Sequence, residues 1–100
     1  MLIKLVQVSA PSTSGGEYEL TQIYVNPSQI VFLSENKRMK TKLQEGRIKT
    51  KSGDQLNPLV TFTDIKLNEN SQMIPEITVI GSPSEIENKI NNGNKKILFG

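Results

Sequence analysis

Seven cationic side chains fall between residues 37 and 51: Lys37, Arg38, Lys40, Lys42, Arg47, Lys49 and Lys51, against a single acid, Glu45. That segment carries +6, and the other five basic and nine acidic residues carry −4, so the overall +2 conceals a polarised molecule. Cations gathered in this way hold phosphates by releasing counterions, and each phosphate neutralised steepens the salt dependence of binding. The competing reading is a solvated strand edge kept soluble by its lysines. No aromatic residue lies between Lys37 and Lys51, so the segment carries no platform on which bases could stack.

Other chemistry is thinly represented. The chain has no histidine and no cysteine, which removes the imidazole and the thiolate on which most side-chain catalysis near neutral pH depends. The acid–base groups left are carboxylates: Glu17 with Glu19 on one strand face, Glu85 with Glu87, and Asp54 and Asp64 in turns. Nothing around them predicts burial or a metal-binding loop, and they read as exposed, solubilising groups. The expectation is a protein that is not an enzyme, with no cofactor and no metal. Gly81-Ser82-Pro83 ahead of a helix offers free N–H groups to an anion, but Glu85 would repel one and a simple cap is the better reading.

The elements that would carry these groups are mostly strands. With 35% apolar residues, five aromatics and no tryptophan, one domain spanning residues 1–100 must build its core from Ile, Leu and Val. Strands are expected over residues 2–8, 18–25, 30–33, 59–67 and 74–80, with the first and third apolar on both parities and so covered on both sides. Residues 10–16 form a Ser/Gly loop and Asn26-Pro27 stops the second strand. Residues 37–51 are expected to form a basic hairpin or loop insertion, with an exposed edge strand over 47–51. The parity change between Val60/Phe62 and Ile65/Leu67 predicts a bulge near Thr63-Asp64. Tyr24 shares the parity of Leu20 and is expected to be at least partly buried. A polar turn over 68–72 should close the last hairpin.

Ser82-Pro83-Ser84-Glu85 is a capping box that opens a helix over residues 82–91, with Ile86 and Ile90 as its apolar stripe and Gly93 as its left-handed cap. Ile97, Leu98 and Phe99 then add a short edge strand or contact a neighbouring subunit. The fold class is α+β, mostly β: a small antiparallel sheet or partly open barrel of five to six strands with one C-terminal helix packed on it. The longest apolar stretches fall far short of the ~20 residues of a membrane span, Met1-Leu2-Ile3-Lys4 begins a strand rather than a signal peptide, and no disulfide is available. A cytoplasmic protein with no membrane contact is expected.

Three segments together resemble the FlbD-type family of small flagellar regulatory proteins: Met1-Leu2-Ile3-Lys4-Leu5, Val25-Asn26-Pro27-Ser28-Gln29-Ile30, and the hairpin and helix from 62 to 91 containing Ile77-Thr78-Val79-Ile80-Gly81-Ser82-Pro83-Ser84-Glu85-Ile86. The resemblance implies a compact β-sheet closed by a C-terminal helix, and no flagellar role is carried over. The chain departs from the family in its basic insertion between Leu33 and Leu59 and in its loop over 10–16. The functional expectation is a small binding module, an accessory or regulatory protein of bacterial or phage type. It would form a homo-oligomer through sheet edges or the Ile97-Leu98-Phe99 tail and present the basic segment to nucleic acid or an acidic protein. A nucleic-acid-binding regulator and an oligomeric binder of an anionic nucleotide are the alternatives.

Overall fold

In the computed structural model the described residues are 2–13, 16–51, 53, 56–68 and 76–99, with side chains as far as Asn92. Five strands, β1 (Ile3–Ser9), β2 (Glu19–Val25), β3 (Ile30–Glu35), β4 (Phe62–Leu67) and β5 (Glu76–Ile80), form one open antiparallel sheet in the order β2-β1-β5-β4-β3. A helix α1 (Lys37–Gln44) follows β3, and α2 (Pro83–Phe99) follows β5. The expected mostly-β architecture with a C-terminal helix on the sheet is therefore present, in open rather than closed form.

Alternation along the strands sends side chains to two cores. Ile3 and Leu5 of β1, Val25, Ile65, Ile77 and Val79 line one face, where Ile86 of α2 closes over them. On the other face Val8, Tyr18 and Phe62 meet Met39 of α1, with Leu20, Leu43, Ile48 and Ile80 packed around them. This two-sided burial explains the parity change along β4. Phe62 and Ile65 serve opposite faces, and β4 pairs with β5 in unbroken register from Phe62↔Ile80 to Lys66↔Glu76. The bulge expected near Thr63-Asp64 lies instead in the neighbouring strand, where the β3–β4 register shifts between Ile30 and Phe32. The extra residue lets Ile30 and Leu33, three apart, both pack against the α2 core and turns Val31 and Phe32 away from it.

That geometry corrects the expectation for the third strand. β3 is an edge rather than a covered strand, and Val31 and Phe32 are 61% and 51% exposed. Tyr24 is also corrected. It is 62% exposed, because α1 passes over the Leu20 end of β2 and leaves the corner where Tyr24 faces Lys4 uncovered. Tyr18 is the buried tyrosine.

The α2 start follows the expectation. Ser82 Oγ accepts from the Glu85 N–H at 3.1 Å, and Gly81, at φ 123°, turns the chain out of β5 while its carbonyl accepts from the buried Thr63 hydroxyl at 2.7 Å. The end differs: α2 runs to Phe99, so Gly93 lies inside the helix and Ile97, Leu98 and Phe99 are helical rather than an edge strand. The side chains of that tail, the polar turn over 69–72, the strand start at Ile74 and Pro75, and Asp54 lie outside the described residues.

The largest correction concerns residues 37–51, expected as a hairpin or loop insertion, whose first part is the helix α1. Asn36 Oδ1 accepts from the Met39 N–H at 3.0 Å and caps a helix built almost entirely from good helix formers, with Met39 and Leu43 one turn apart on the sheet. Over 47–51 there is no strand, only a parallel bridge between Tyr18 and Thr50.

Candidate anion-binding site

Both ends of α1 are fixed by specific bonds, and these decide where the cations stand. At its start, Asn36 Nδ2 donates to Asp64 Oδ1 at 3.0 Å, and Thr78 Oγ1 donates to the same oxygen at 2.7 Å. Asp64 is thus a structural anchor on the sheet for the cap of α1. At its end, the Gly46 N–H bonds the Leu43 carbonyl at 3.0 Å and the Arg47 N–H bonds the Lys42 carbonyl at 2.8 Å, with Gly46 at φ 70°. This pair of bonds closing on a left-handed glycine satisfies the last carbonyls of the helix and sets Arg47 beside Lys42.

The seven candidate cations take different roles. Lys40 Nζ donates to the carbonyls of Pro58 and Val60 at 3.0 and 2.8 Å, tying the segment before β4 to α1. Arg47 pairs with Glu45 at 3.2 Å and Lys51 with Glu19 at 3.3 Å, both exposed. Lys37, Arg38 and Lys49 are exposed, and among the described residues none of them meets a carboxylate. Lys42 is half-buried and its Nζ donates to the Tyr18 hydroxyl at 3.5 Å. The structure thus brings Lys42 and Arg47 to one place and sets Lys37 and Arg38 at the opposite end of α1.

That place is a cleft of about 490 Å³ between residues 10–13 and 16 and the end of α1, lined on its polar side by Ser12, Thr13, Tyr18, Lys42 and Arg47. Tyr18 is held by its backbone, its N–H bonding the Lys49 carbonyl at 2.6 Å and its carbonyl accepting from the Lys51 N–H at 2.9 Å. The Gly16 N–H bonds the Thr13 carbonyl at 3.1 Å, and a Cβ at Gly16 would stand 2.8 Å from Pro11 Cβ. A second cleft of about 360 Å³ shares Ser12, Thr13 and Gly16 with the first and is lined also by Glu17, Glu19 and Lys51.

Sequence reasoning named Lys42 and Arg47 but missed Ser12, Thr13 and the Tyr18 hydroxyl. The hydroxyl-rich composition of residues 10–16 was the available signal for the loop. The approach of Tyr18 to Lys42 depends on α1 crossing the sheet, which no local pattern encodes. Among the described residues no group of acidic side chains could hold a metal ion, and no helix is long and apolar enough to cross a membrane. Chemically, the arrangement offers hydrogen-bond donors and positive charge. No protein-family model, no curated protein and no solved structure matches the chain significantly.

Proposed function

We propose that the chain is a non-enzymatic binding module that holds an anionic partner on the side of the sheet carrying α1 and associates with itself along β3. One observation supports the first part above the others. Of the seven cations between 37 and 51, only Arg47 and Lys51 meet a carboxylate among the described residues, so the positive charge of the segment is largely left standing on the surface. An exposed ion pair of this kind neutralises little in any case. The missing imidazole and thiolate, and the exposed or structural settings of Glu17, Glu19, Glu85, Glu87 and Asp64, support binding over catalysis.

A salt titration against a polyanion such as duplex DNA tests this reading. The logarithm of the affinity should fall linearly with the logarithm of salt, with a slope near 0.9 per phosphate contacted, about 3 to 4 for Lys37, Arg38, Lys42 and Lys49, which meet no carboxylate among the described residues. Their joint replacement by Ala should flatten that slope. Absence of binding to any polyanion at ~50 mM salt ends the proposal.

Self-association is supported by the open outer edge of β3, a strand without lysine or proline that exposes Val31 and Phe32. Phe32→Lys should lower the molar mass seen by light scattering to that of the monomer. A wild-type chain that is monomeric at high concentration removes this part.

A further inference from the structure

Two clefts share residues 10–13 and 16, and the charged groups that complete their linings differ in sign. One holds Glu17 and Glu19 beside Lys51; the other holds Lys42 and Arg47 and has no carboxylate in its lining. Every polar side chain in the second is a donor or carries one: the hydroxyls of Ser12, Thr13 and Tyr18, the Lys42 ammonium and the Arg47 guanidinium. We infer that this cleft seats the phosphate of a small phosphate monoester. The inference rests on the anion-binding reading above and gives it a place and a ligand class.

Charge and donor count both fit. A monoester phosphate near neutral pH carries between one and two negative charges and three terminal oxygens, which two cations and a phenol can share. Lys42 donates to the Tyr18 oxygen, and the phenol keeps its own O–H as a donor. The Arg47–Glu45 pair is exposed on both sides, so exchanging Glu45 for a phosphate costs little. Fork-shaped donors recognise phosphate oxygens in pairs, which a lysine at position 47 would not.

The backbone that carries the donors is fixed before any ligand arrives. The bonds that end α1 set the backbone of Arg47 and Lys42, the bridge to the 49–51 segment sets that of Tyr18, and the Gly16 N–H bonds the Thr13 carbonyl. Preorganised donors lose less freedom on binding. The cleft, about 490 Å³, has room for more than a bare phosphate and so can admit an ester.

Amide chemical shifts followed by NMR during titration with inorganic phosphate, glycerol phosphate, AMP and, as a control, adenosine test the inference. The three phosphate probes should shift Thr13, Gly16, Tyr18 and Arg47, the two esters more tightly than inorganic phosphate, and adenosine should shift none of them. Lys42→Gln and Arg47→Gln should each weaken ester binding about tenfold and Tyr18→Phe by about threefold, while Lys4→Gln with Lys66→Gln, on strands outside the cleft lining, leaves it unchanged. No shift at ~10 mM of any phosphate probe, a level that detects even millimolar affinity, overturns the site, and if duplex DNA still binds, the broader reading survives. Equal weakening by the Lys4/Lys66 pair would show diffuse attraction and overturn the site as well. Loss of both the small probes and the polyanion overturns both readings.

Discussion

The two helices sit on opposite faces of one sheet, and they are attached by different physics. α2 is held by an apolar stripe: Ile86 is 1% exposed among Ile3, Leu5, Ile65, Ile77 and Val79, and Glu85 in the first turn complements the helix dipole. α1 is shorter, buries only Met39 fully, and depends on polar tethers: Asn36 to Asp64, and Lys40 to the carbonyls of Pro58 and Val60. Its first turn carries Lys37 and Arg38 and no acid, the wrong charge for the positive end of a helix dipole. Stability alone explains α2. The cations at the start of α1 work against the stability of their own helix, which fits a role in binding.

Substitutions sharpen this contrast, beginning with the largest. Ile86→Ala should cost about 3 to 4 kcal/mol in urea unfolding, since it opens a cavity in a fully closed core, whereas Met39→Ala should cost about 2, because α1 lies on a shallower cluster. Equal losses would mean that the two faces are packed alike. Asn36→Ala removes the cap and leaves Asp64 one donor short, with an expected loss of about 1 to 2 kcal/mol and faster amide exchange confined to α1. Global exchange would instead tie α1 to the main folding unit.

Much of the sheet was legible because its strands alternate or run apolar between clear breakers, and the start of α2 because Ser82, Pro83 and Glu85 each have a position-specific reason to be there. The helix over 37–44 was harder. Only Met39 and Leu43 mark its buried side, so the periodic signal is two residues long, and the density of charge suggests a solvated loop. Asn36 and Gly46 were the usable clues, since one caps a start and the other ends a helix at positive φ. Ile30-Val31-Phe32-Leu33 looks like a covered strand, because a run apolar on both parities cannot be told from an edge strand with a bulge. Gly93 misled in the opposite direction: a glycine after Asn91-Asn92 has the chemistry of a stop, yet α2 continues through it. The cleft was legible only in part, because Tyr18 and Lys42 are joined by tertiary crossing alone.

The smallest effect on stability bears most directly on the account. In the Lys37→Glu, Arg38→Glu double variant, unfolding free energy and polyanion affinity are measured on the same preparation. Two acids in the first turn of α1 should raise stability by about 0.5 to 1 kcal/mol, while affinity for duplex DNA at low salt falls by at least about tenfold. A variant whose affinity stays at the wild-type level, whatever its stability, would contradict the claim that these cations are kept for an anionic partner.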